Sequence, residues 1–198
     1  MFRKVFSVSL VAVLAAFVAP AAMAKDAPDL STPKAAVATF SKAIVDHDLD
    51  TIKASMIGTD EQQKIVIGMA DLLSSMRKFK AACAAKFGEK NELGGGIPGD
   101  AEFLADAQKT EFQIEGDVAK PLPRDGKKSE DMTGLRKVDG VWKVDFNTLS
   151  KEKLAEAAKL VTLNKAFAET AAEIESGKHK TVEEAAIAMG GRMAEAQK

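Results

Sequence analysis

Leu135-Arg136-Lys137-Val138-Asp139-Gly140-Val141-Trp142-Lys143-Val144-Asp145 is the stretch that decides the fold class. An Asp-Gly pair stands between two runs in which apolar and polar residues alternate. A two-residue hairpin turn needs positive φ at its centre, which Asp and Gly tolerate. The pattern predicts a strand over 130–138, a turn at Asp139-Gly140 and a strand over 141–146. Trp142, Val144 and Phe146 then share one face, and Lys143 and Asp145 take the other.

A second hairpin precedes the first. Thr110, Phe112 and Ile114 alternate with Glu111, Gln113 and Glu115, which predicts a half-buried strand. Gly116-Asp117 turns it into a partner strand over 118–122, and Pro121, Pro123 and Arg124-Asp125-Gly126 then break the sheet. On either side the period changes to helical. Thr32-Pro33 reads as an N-cap with proline at the first helical position, and Val37, Phe40 and Ile44 make an apolar stripe over 33–46. Leu49, Ile52 and Met56 mark a short second helix that Gly58 stops. Thr59 and Gln62 form a capping box for a long third helix with the stripe Ile65, Met69, Leu72, Met76, Phe79 and Cys83, ended by Gly88. Residues 91–100 read as a glycine-rich loop or flap, and 101–107 as a helical turn. After Asn147 one helix is expected, with Leu160, Leu163, Phe167, Ala171 and Ile174 on its stripe and Gly177 at its end. Thr181 and Glu184 then cap a last amphipathic helix. Helices, hairpins and helices again describe an α+β chain rather than alternating βαβ units.

The helix opening Thr32-Pro33-Lys34-Ala35-Ala36-Val37-Ala38-Thr39-Phe40, the acidic turn after it, the stretch Phe112-Gln113-Ile114-Glu115-Gly116-Asp117-Val118-Ala119 and the 135–145 hairpin together resemble nuclear-transport-factor-2-like domains. The resemblance covers about 33–147 and implies N-terminal helices packed on a curved antiparallel sheet, a cone enclosing an apolar pocket. Three features depart from it: the long third helix, the small number of strands, and the helices that follow Asn147. The chain is therefore read as a leader over 1–24, a nuclear-transport-factor-2-like α+β domain over 25–147 and a C-terminal helical extension over 148–198. Such domains include isomerases, dehydratases, binding proteins and scaffolds, so the fold does not choose a function.

Composition excludes several classes. The 198 residues are 46% hydrophobic and 29% charged, an ordinary globular balance, and a chain this long buries roughly 70% of its unfolded surface. Its 28 Lys and Arg stand against 29 Asp and Glu, without the basic excess of a nucleic-acid binder. Residues 1–24 read as a secretory signal. Arg3 and Lys4 precede an apolar run from Val5 to Val18, and Ala22-Met23-Ala24 suits a signal peptidase. The run is below the ~20 residues that span hydrocarbon. No Cys follows it, which speaks against a lipid anchor. The mature protein is expected to be exported, periplasmic or extracellular, with no membrane span after cleavage. Its single Cys83, in Ala81-Ala82-Cys83-Ala84-Ala85, rules out an internal disulfide and reads as a small buried hydrophobe.

Residues that carry chemistry are sparse. Asp46-His47-Asp48-Leu49-Asp50 spaces its acids like a calcium loop, but the places that need Gly and Glu hold Thr51 and Ile57. It reads as a turn with Asp48 or Asp50 capping the next helix. His47 is the better of two candidate bases, and His179, in Lys178-His179-Lys180, is expected in solvent. Gly94-Gly95-Gly96 lacks the Lys and Ser or Thr of a phosphate loop. No cofactor, metal site or catalytic residue is assigned. The expectation is a non-enzymatic domain binding a small apolar ligand or a protein, with a homodimer through helical surfaces as one form of partnership. A ligand pocket would draw its sheet wall from Phe112, Trp142 and Phe146 and its helical side from Phe40 and Ile44. The alternative is a small cofactor-free isomerase, dehydratase or hydrolase working in that pocket. A third reading is an assembly module whose own side chains fill the core.

Overall fold

Capping chemistry sets most of the helix ends in the computed structural model, which describes residues 27–95, 97, 99–123, 129 and 133–196. The leader read at 1–24, the Arg124-Asp125-Gly126 break, the expected strand start at Glu130 and Gly96 of the glycine run lie outside those residues. Helix α1 (Pro33–Asp46) opens where the Thr32 hydroxyl accepts the Ala35 N–H at 3.1 Å. It closes at His47, whose φ of 56° is left-handed, with the Asp48 N–H donating to the Ala43 carbonyl at 2.8 Å. Asp48 then caps α2 (Leu49–Ala54) by accepting the Thr51 N–H. At α3 (Asp60–Phe87) both halves of the Thr59–Gln62 capping box are made, and Gly88 stops it with a φ of 90°.

The rest is α4 (Glu92–Gly95) and α5 (Asp100–Gln108), then the strands β2 (Phe112–Glu115), β3 (Val118–Pro121), β4 (Gly134–Val138) and β5 (Val141–Asp145). A 3-10 turn at Phe146–Thr148 leads into α6 (Lys151–Val161), α7 (Asn164–Glu175) and α8 (Val182–Ala196). The chain is thus a mixed α+β fold. Strands β2 to β5 form an antiparallel meander, and β1 (Met56–Ile57) lies parallel to β5, giving the order β1-β5-β4-β3-β2. Asp139 (φ 52°) and Gly140 (φ 82°) both take the left-handed conformation between β4 and β5, the type I′ geometry that matches strand twist.

Three expectations need correction. Met56 belongs to a strand and not to the second helix. The Ser55 hydroxyl closes α2 by donating to the Thr51 carbonyl at 2.6 Å, while the Ser55 carbonyl accepts the Val144 N–H at 2.9 Å. A two-residue strand is too short to show alternation. The helix after Asn147 is two helices. Thr162 donates its hydroxyl to the Lys159 carbonyl at 2.6 Å, and the Thr162 and Leu163 N–H groups reach only three residues back, so the last turn tightens and stops. The loop at 91–100 contains the short helix α4.

Three apolar clusters hold these elements. Leu30 and Ala36 meet Ala119, Leu135, Trp142 and Val144 between α1 and the sheet. Ala43 and Ile44 of α1 meet Ile52, Met56, Val66 and Ala70. Farther along α3, Phe79, Ala82 and Cys83 pack against Ala166, Ala171 and Ile174 of α7 and Ala185 and Met189 of α8. The C-terminal helices therefore share a core with α3. Helix α6 approaches α3 at Gly68, where an added Cβ would lie 2.6 Å from Val161 Cγ1. Gly68→Ala is expected to destabilise the fold by about 1–3 kcal/mol through overpacking, against ~1 kcal/mol returned by helix propensity. Val161 is β-branched and stiff, so it cannot swing aside cheaply. Urea denaturation checks this, and Val161→Ala in the same chain should recover most of the loss. A Gly68→Ala chain as stable as the wild type would show that the α3–α6 contact yields freely.

Candidate functional site

The five residues read as pocket walls fall in two adjoining apolar clusters. Phe40, Phe112 and Phe146 pack against the cluster that contains Trp142, and the Phe40 and Phe146 rings lie 5.8 Å apart, tilted by 52°. Ile44 sits in the neighbouring cluster, which Phe40 and Phe146 also touch and so connect to the first. Trp142 is 5% exposed, and its backbone N–H donates to the Leu30 carbonyl at 2.8 Å, which ties the segment before α1 to β5. Aromatic area of this kind dominates the packing of a small core. Asp145, expected on the polar face of β5, is 1% exposed. It accepts the Arg136 Nε–H at 2.8 Å, and its other oxygen takes the Asn147 backbone and side-chain N–H groups at 3.1 and 3.0 Å. Burial is affordable there because every one of these bonds is charge-assisted.

His47 is placed by the left-handed end of α1 beside α3, where its Nε2 lies 2.6 Å from Asp71 Oδ1. The spacing suits proton exchange between imidazole and carboxylate. Both groups remain partly open to water. The acids around His47 are engaged in local structure: Asp46 pairs with Lys42 at 2.5 Å and Asp48 caps α2. Among the described residues no cluster of three or more His, Cys, Asp and Glu is arranged to hold a metal ion. Cys83 is fully buried, and burial pushes its thiol up to about 11, the opposite of what a nucleophile needs.

The most connected polar group was missed by sequence reading. His179, expected in solvent, is 7% exposed, and its Nε2 lies 2.9 Å from Glu173 Oε2. The other Glu173 oxygen pairs with Lys178 and, at 2.8 Å, with Arg192 Nη2. Arg192 also reaches Glu169 and the Thr170 hydroxyl, each at 3.1 Å, so one guanidinium on α8 clamps one face of α7. The turn at Gly177 (φ 76°) folds Lys178 and His179 back over the end of α7, which the i+5 and i+6 spacings do not advertise. Lys178 foremost, then His179 and Arg192, hold the Glu173 carboxyl down at about 2. Its native value lies below the ordinary 4.5, so the clasp stabilises the fold above the ordinary value and fades as pH falls toward about 2. Thermal midpoints of wild type and Glu173→Gln should therefore differ at pH 7 and converge at the acid end. A gap that persists unchanged at low pH would remove the carboxylate from the account.

A cleft of about 500 Å³ opens between the start of α3 and α6, lined in part by Gln62, Ile65, Asn147, Lys151 and Leu154. Its walls mix apolar and polar groups, and none of the five residues read as pocket walls lines it. No helix among the described residues is long and apolar enough to cross a membrane. Compared with family models, with curated proteins and with solved structures, the chain matches none.

Proposed function

We propose that this chain is an exported, non-enzymatic domain that binds a protein partner, built on an α+β unit of the nuclear-transport-factor-2-like, cone-shaped kind. One observation carries the reading: Phe40, Phe112, Trp142 and Phe146, the aromatic residues that would wall a ligand pocket, spend their surface packing with Leu30, Ala36, Leu135 and Val144. The order of elements supports the family relation, with α1 opening at Thr32-Pro33 and β4–β5 closing the meander. The leader sequence supports export. The thin acid–base repertoire, two histidines and no tyrosine, supports a binding role over an isomerase, dehydratase or hydrolase.

Native mass spectrometry of the mature protein, purified gently from the exported fraction, tests this. A second polypeptide on the subunit is expected. A discrete small-molecule adduct would overturn the reading in favour of an apolar ligand.

A further inference from the structure

The sheet ends at β2, and among the described residues no strand pairs with it on its outer side. The β2–β3 register fixes which backbone groups face outward. Gly116-Asp117 joins the strands as a two-residue turn, with Gly116 at a φ of 60°, so Glu115 and Val118 exchange hydrogen bonds. Two residues on, Gln113 pairs with Lys120 in the same way, and the Leu122 N–H donates to the Glu111 carbonyl at 2.8 Å. Phe112 stands opposite Pro121, which has no N–H to give. The N–H and C=O groups of Phe112 and Ile114 therefore point away from β3, along the open edge.

The side chains beside those groups alternate in chemistry. Ile114, 54% exposed, and half-buried Phe112 lie on one face of the sheet. Gln113 and Glu115 lie on the other, Glu111 just before the strand pairs with Lys34 of α1, and Asp117 stands at the turn. The strand is four residues long, its one charge is Glu115, and it carries no lysine, proline or bulge to turn a partner away. We propose that β2 is a docking edge for an extended peptide segment of a partner protein, one in which basic and apolar residues alternate. Such a segment adds a sixth strand by bonding to Phe112 and Ile114, lays an apolar side chain beside Ile114 and sets ammonium groups against Glu111 and Glu115. Lys34 and Lys120 now hold those two acids at 3.1 Å each, but these are exposed pairs of little worth that an incoming lysine can share or replace. A second copy of this chain meets like charges in two antiparallel registers: centring the β2 pair on Gln113 sets Glu111 against Glu115, and centring it on Ile114 sets Glu111 against Asp117.

This inference rests on the protein-binding reading and sharpens it. The probe is the capped peptide Lys-Val-Lys-Val-Lys-Val-Lys, titrated calorimetrically into the mature protein. Binding is expected, and the acidic counterpart with Glu for Lys should not bind. Ile114→Pro removes an outward N–H that β3 does not use, so it should leave the fold intact and weaken the peptide roughly tenfold or more through lost backbone bonding. Ile114→Thr keeps the backbone bond and should weaken it less. A peptide N-methylated on alternate valines keeps charge and side chains while blocking the ladder, and it tests the wild-type protein directly. Equal binding of the N-methylated and parent peptides would overturn the proposal, as would no binding of either. A wild-type dimer dispersed by Ile114→Pro would overturn it too, by making a second copy the occupant. If the peptides fail while native mass spectrometry still finds a protein partner, the partner docks elsewhere. A small-molecule adduct would instead remove the reading beneath the inference.

Discussion

Phe79→Ala is expected to lower the stability of the folded chain by about 3–5 kcal/mol. Among the described residues Phe79 is the largest fully buried side chain, and its ring meets that of Phe167 edge-on, with centroids 5.5 Å apart and planes at 80°. Its cluster holds the short side chains Ala82, Cys83, Ala166 and Ala171 together with Ile174 and Met189, so the cavity left by the phenyl group is closed only as far as the longer side chains can move into it. The same cluster joins α3 to α7 and α8, so its loosening should open Cys83 as well. A thiol pushed up to about 11 and sealed from solvent should resist a disulfide reagent in the native wild type. Urea denaturation gives the free energy, and the rate of thiol labelling gives an independent reading of the same opening. A variant within ~1 kcal/mol of the wild type and equally slow to label would mean that this cluster is not what fastens the C-terminal helices.

Local signals carried the helix starts and the hairpins. The Thr32, Asp48 and Thr59 caps and the left-handed Asp139-Gly140 turn each depend on residues within four positions of one another, and all four are made as their sequences imply. What failed to show was set by distance. Met56 is a strand residue only because β5, nearly ninety positions later, supplies the ladder. Asp145 alternates correctly as a polar position, yet Arg136 across the hairpin and Asn147 beyond it make the site where a carboxylate can be buried. His179 looked solvated between two lysines until the Gly177 turn brought it to Glu173 and brought Arg192 of the next helix to the same carboxylate. The aromatic set was found as a group, but periodicity cannot say whether a shared face surrounds an empty space or a packed one. In the fold the three Phe rings and Trp142 touch the same aliphatic cluster.

Trp142→Ala is the substitution that separates those two readings by size of effect. As a core residue 5% exposed among Leu30, Ala36, Ala119, Leu135 and Val144, it should cost about 3–5 kcal/mol, with Trp142→Phe costing distinctly less because an aromatic ring still fills most of the volume. A residue that walled an open pocket would behave differently. Its removal would enlarge a space that water or ligand already occupies, and the loss would appear in ligand affinity with stability little changed. The wild type offers its own control, since Trp142 is the only tryptophan and the chain has no tyrosine. Its emission should be blue-shifted and poorly quenched by acrylamide in the native state, then move to the red in one step with the circular dichroism signal as urea unfolds the chain. Ready quenching of the native protein, together with a Trp142→Ala variant of near wild-type stability, would place the ring on an accessible wall. That pair of results would return a small apolar ligand to the centre of the function.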